Sequence, residues 1–88
     1  MIFETSPFKV FSGSQGQALA ERICEKLGCP LGQVKIDRFS DGEFAASFLE
    51  SVRGQSVYLV QPTIPTSDNL MELLLMIDAA RRASAYKV

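Results

Sequence analysis

Ser56-Val-Tyr-Leu-Val-Gln61 leads through Pro62-Thr-Ile-Pro-Thr66 into Asn69-Leu-Met-Glu-Leu-Leu-Leu-Met-Ile-Asp-Ala-Ala80. The first segment is almost continuously β-branched or aromatic, as expected of a central strand covered on both faces. The two prolines of the second forbid helix and inner strand, so it reads as a loop. The third begins a helix expected over Asn69 to Ala85, with Asn69 and Glu72 spaced as a variant capping box and Asp68 where a helix dipole favours negative charge. Leucine and methionine fill most of the surface between its charges, so the helix should be buried against more than one surface, either neighbouring elements or another subunit. Asp78 can pair with Arg81 or Arg82 along it. Tyr86-Lys-Val88 then looks like the first residues of a further strand.

Working back toward the N-terminus, Phe8-Lys-Val-Phe11 reads as a first strand and Ser12-Gly-Ser-Gln-Gly16 as a turn. Gln17 to Leu27 is an amphipathic helix, because Leu19, Ala20, Ile23, Cys24 and Leu27 recur at three- and four-residue spacing. Gly28 stops it and Pro30 prevents its resumption. Gln33 to Phe39 and Phe44 to Leu49 are strands on either side of Ser40-Asp-Gly-Glu43, which suggests a hairpin. Strand, helix, hairpin, strand, helix makes an α/β domain with a parallel sheet, flanking helices and a β-hairpin. The short final strand implies that the domain is incomplete within these residues.

The 88 residues are 47% hydrophobic with a net charge of −1. That is much apolar material for a body this small, which points to a covering partner or more of the same protein. Neither nucleic acid nor an anionic membrane surface is expected without a basic patch. No stretch approaches the length of a membrane span, and the N-terminus lacks the apolar run of a signal peptide. A soluble, cytoplasmic protein is expected. The two cysteines, Cys24 and Cys29, do not form a CxxC pair and the chain has no histidine. Reduced thiols fit better than a zinc site.

Histidine-dependent nucleophilic catalysis is equally unavailable. Gly13 and Gly16 after the first strand invite a phosphate-loop reading, but neither GxxxxGK[ST] nor GxGxxG is present. Arg38-Phe-Ser-Asp-Gly-Glu43 is more informative. Phe39 offers a flat face on which a base can stack, Asp41 and Glu43 offer acceptors for an amino group, and Gly42 leaves backbone groups accessible. The same residues also suit a plain hairpin turn beside a core phenylalanine.

Taken in order, Lys9-Val-Phe-Ser-Gly13, Leu19-Ala-Glu-Arg-Ile23, Arg38-Phe-Ser-Asp-Gly-Glu43, Ser51-Val-Arg-Gly54, Val60-Gln-Pro-Thr63 and Asp68-Asn-Leu-Met-Glu-Leu-Leu74 leading to Asp78-Ala-Ala-Arg-Arg-Ala-Ser-Ala85 resemble the N-terminal part of phosphoribosyl-pyrophosphate synthetase, also called ribose-phosphate pyrophosphokinase. The resemblance runs from Phe8 onward. It implies residues 1–88 as part of the N-terminal domain of a two-domain synthetase of the phosphoribosyltransferase type. It also implies transfer of the diphosphoryl group of ATP to ribose 5-phosphate with Mg2+, in a homo-oligomer built from dimers into a ring, a hexamer in the family. Phe39 would stack on adenine, and Asp41, Gly42 and Glu43 would line its edge, the turn reaching into a neighbouring subunit's site. The family's metal, phosphate and ribose-phosphate groups would lie beyond Val88, so no catalytic residue and no metal ligand is assigned here. Gly13-Ser-Gln-Gly16 and Pro62 depart from the family's usual Gly-Asn and serine. The alternatives are a non-catalytic regulatory relative that binds the synthetase and an α/β binding module with no nucleotide role.

Overall fold

The computed structural model describes residues 8–39, 44–63 and 67–88. In chain order the elements are β1 (Phe8–Ser12), α1 (Gln17–Leu27), β2 (Val34–Arg38), β3 (Phe44–Phe48), β4 (Ser56–Val60) and α2 (Ser67–Arg82). β1 and β4 pair in parallel, Phe8 opposite Ser56 and Ser12 opposite Val60. β2 and β3 form the expected antiparallel hairpin, Val34 opposite Phe48 and Arg38 opposite Phe44. The α/β architecture and the order of elements therefore agree with the sequence reading.

The core lies where the strand pairs meet α2. Phe11, Val52, Val57 and Ala80 are buried together, with Val34, Phe48 and Leu59 packed around them. The ring of Phe11 on β1 meets that of Phe48 on β3 edge to face, with centroids 4.7 Å apart. This contact joins the parallel pair to the hairpin through apolar burial and a favourable ring geometry. Lys9 on β1 adds a second tie, donating to Glu50 at 2.8 Å, while Glu50 also accepts the Gln33 N–H at 2.8 Å.

Both helices end on left-handed residues. At α1 this is Gly28, with φ 73°, and the Cys29 N–H reaches back to the Cys24 carbonyl at 3.0 Å. At α2 the same device uses Ser84, with φ 68°. The Ala85 N–H bonds Ala80 and the Ser84 N–H bonds Arg81, both at 3.1 Å. α2 therefore stops at Arg82 rather than running to Ala85. It also starts at Ser67, which places Asn69 and Glu72 inside the helix and on its buried face. The capping-box expectation fails for that reason: Glu72 is directed into the protein, and its partners lie on other segments. Asp68 does occupy the first turn, and Asp78 pairs with Arg82 at 2.9 Å.

After Ser84 the chain turns back along β4. The Val57 N–H bonds the Lys87 carbonyl at 2.7 Å, and Ser56 and Lys87 form a parallel bridge. The strand expected at Tyr86–Val88 is present to that extent. Two surfaces remain open among the described residues. Tyr58 of β4 is 59% exposed although its register partner Val10 is buried, so one face of the strand is only partly covered among the described residues. Leu70, Met71 and Leu74 of α2 are also exposed, leaving that helix buried along a single stripe.

Candidate functional site

The hairpin carries the segment singled out in the sequence. Its last register pair, Arg38 and Phe44, forms the foot of the turn. The Arg38 guanidinium lies over the Phe44 ring, 4.8 Å from its centroid, so cation and aromatic face stabilise each other. The same guanidinium reaches α2 through Nη2 to Glu72 at 3.1 Å and Nη1 to Asp68 at 3.5 Å. Phe39 follows immediately and is 53% exposed, so it is no core residue. Asp41, Gly42 and Glu43 lie outside the described residues.

Glu72 is the hub behind this foot. It is 0% exposed, and a buried carboxylate must be paired and hydrogen-bonded to be tolerated. Oε1 accepts from the Ser14 N–H at 2.9 Å and from Gln61 Nε2 at 3.0 Å. Oε2 accepts from Ser14 Oγ at 2.8 Å and from Arg38 Nη2 at 3.1 Å. Two donors on each oxygen fill the capacity of a carboxylate. Burial alone would raise its pKa, but the Ser14 bonds and the Arg38 charge outweigh it and hold the group below its ordinary value.

This geometry also answers the phosphate-loop question. The β1–α1 turn does direct an amide and a hydroxyl at an anion, but the anion is Glu72. The Gln15 N–H is engaged as well, by Gln61 Oε1 at 3.3 Å. The turn is thus an internal carboxylate seat.

Sequence reasoning singled out Phe39 and did not see the carboxylate hub behind it. Glu72 looked like a helix cap, Arg38 like a strand residue, Ser14 like a turn position and Gln61 like the end of a strand. A usable signal was present. Glu72 shares a helix stripe with Met76 and Ala80, and a lone charge on a buried stripe demands partners elsewhere. Among the described residues, no group of three or more His, Cys, Asp or Glu side chains could hold a metal, and no helix is long and apolar enough to cross a membrane.

Comparison with known proteins gives one consistent answer. A family model described as the N-terminal domain of ribose phosphate pyrophosphokinase matches residues 8–88. A ribose-phosphate pyrophosphokinase of Porphyromonas gingivalis is 64% identical over 81 residues, covering 92% of this chain and 26% of that protein. A chloroplastic ribose-phosphate pyrophosphokinase 1 of Arabidopsis thaliana is 59% identical over 91% of this chain and 20% of its own length. The crystal structure of phosphoribosylpyrophosphate synthetase from Mycobacterium smegmatis superposes with a TM-score of 0.81 at 33% identity, covering 90% of this chain and 27% of that one. The chain spans about a quarter of the length of such relatives. With a family model matched over residues 8–88 and a shared fold, the chain belongs to the family of ribose phosphate pyrophosphokinase N-terminal domains.

Proposed function

We propose that this chain is the N-terminal portion of an enzyme that transfers the diphosphoryl group of ATP to ribose 5-phosphate, and that it supplies the adenine-binding turn. Phe39 stacks on the base, and Asp41, Gly42 and Glu43 line its edge. Carboxylates that accept from the adenine amino group are left poorly paired by guanine, which is the source of specificity. The observation that supports this reading most is the exposed Phe39 ring beside a fixed Arg38 foot. An aromatic face in that position stacks a base without moving the core, a contact worth about 1–3 kcal/mol.

Both oxygens of Glu72 are already committed to protein donors, so Glu72 is not a magnesium ligand in this reading. Residues 1–88 alone are proposed to be inactive. The working unit is a homo-oligomer, a dimer-based ring in which the turn serves a neighbouring subunit. The exposed Leu70, Met71 and Leu74 fit a surface covered in the whole protein. A cytoplasmic location fits the two free cysteines, of which Cys24 is buried and its thiol pushed up in pKa by that burial.

The test is ATP affinity and turnover of the full-length protein. Phe39→Ala is expected to weaken ATP about tenfold, consistent with loss of one stacking contact. Absence of phosphoribosyl pyrophosphate from the unaltered protein would refute the enzyme reading. Normal ATP affinity in both Phe39→Ala and Asp41→Ala would refute the adenine assignment.

A further inference from the structure

We infer that Glu72 is a positioning residue for the nucleotide, acting through Arg38 to hold Phe39 where the base stacks. The inference rests on the adenine reading given above and adds a group that never touches the ligand.

Its basis is where the partners of Glu72 come from. Ser14 lies just past the carboxyl end of β1, Gln61 just past that of β4, and Arg38 is the last residue of β2. One buried carboxylate gathers all three strand ends. Ligands of open α/β sheets bind outside the carboxyl ends of the strands, so this end is where rigidity serves binding. The first two partners anchor Glu72 to the parallel pair. The third passes that anchorage to the hairpin.

The alternatives for fixing Arg38 are weaker. Asp68 is 3.5 Å away, with both side chains about half exposed, so that pair is screened by solvent. Glu72 is closer and buried, and a charge-assisted bond to a desolvated oxygen is the stronger kind. The Arg38 guanidinium also covers the ring of Phe44, its cross-strand partner. Without Glu72 the guanidinium would keep only the solvent-screened Asp68 contact on α2, and the backbone that presents Phe39 would lose its buried anchor there. The core pair of Phe11 and Phe48 lies at the other end of the hairpin, because Phe48 is opposite Val34. That aromatic pair therefore cannot substitute at the Arg38 end.

A double-mutant cycle in the full-length protein tests this. Glu72→Gln keeps the shape and removes the charge, and Arg38→Met removes the brace while keeping an apolar stem. Each is made alone and with Phe39→Ala, and KM for ATP and for ribose 5-phosphate are measured. The expected result is a rise of roughly three- to tenfold in ATP KM for either single variant, falling below about twofold when Phe39 is already alanine. KM for ribose 5-phosphate should stay within about twofold throughout. If Glu72→Gln does not fold, Arg38→Met decides, since that side chain is half exposed. Equal effects with and without Phe39, or parallel rises in both KM values, would make Glu72 merely structural and overturn the inference while leaving the adenine reading intact. No loss of ATP binding in Phe39→Ala itself would overturn both.

Discussion

Gly16→Ala should be among the most damaging single-methyl changes in this domain. A Cβ at Gly16 would lie 2.5 Å from the Val60 carbonyl oxygen, 3.1 Å from its carbon and 3.3 Å from the Gln61 Cα. All three are backbone atoms, so no rotamer change relieves the clash. The same Val60 carbonyl accepts the Gly13 N–H at 3.0 Å, and separating the loop from β4 would strain that bond too. Overpacking costs about 1–3 kcal/mol and a lost hydrogen bond about 1, which together give about 2–4 kcal/mol. Gly28→Ala is the control. Nothing lies within 4 Å of a Cβ there, but φ is +73°. Its cost is backbone strain of about 1–2 kcal/mol, partly offset by the lower entropy of the unfolded chain, for a net of about 1 kcal/mol. In thermal unfolding followed by circular dichroism, a domain of this size loses about 4–8 °C per kcal/mol. Gly16→Ala should lower the midpoint by roughly 10–25 °C and Gly28→Ala by about 5 °C. The reasoning is refuted if Gly16→Ala melts at or above Gly28→Ala.

Ser84→Gly should stabilise the chain by up to about 1 kcal/mol, since Ser84 holds φ 68° at the end of α2, and a rise in the thermal midpoint checks it. Phe11→Ala, at a fully buried ring packed on Phe48, should cost about 3–5 kcal/mol by denaturant titration, whereas Asp78→Ala, at an exposed pair, should leave the midpoint within about 2 °C. Glu50 is held below its ordinary pKa, first by the Lys9 hydrogen bond, and Glu72 is held low against the effect of its own burial. A depressed carboxyl contributes stability that is complete above its unfolded value of 4.5 and is lost as pH falls through the lower folded value. Stability should therefore be flat from neutral pH to about 5 and fall below it, and Glu50→Gln with Glu72→Gln should flatten that fall in an acid titration.

Periodicity and turn chemistry alone determined the element order of this protein. The amphipathic spacing of Leu19 through Leu27, the Gly28 stop and the apolar run Ser56–Gln61 are local signals. Each depends on neighbours within a few positions along the chain, so each could be read without a fold. The resemblance that added the family was carried by the order and spacing of blocks from Lys9 to Ala85, which also needs no fold to be read. The true ends of α2 were not legible, because Ser84 in a left-handed conformation is unusual for a residue with a side chain and depends on the return of Tyr86–Lys87 to β4. From the residues alone Phe39 read more readily as core than as a presented ring, and only packing showed that it is exposed. Glu72 is the plainest case. A carboxylate three positions after an asparagine reads as a cap when only the local spacing is visible. Its four donors come from Ser14, Arg38 and Gln61, which are 58, 34 and 11 residues away. Such bonds exist only after the strands have brought their carboxyl ends together, and burial makes them obligatory. Local sequence thus specified the elements, and tertiary structure alone decided which buried charge ties the Arg38 end of β2 to α2.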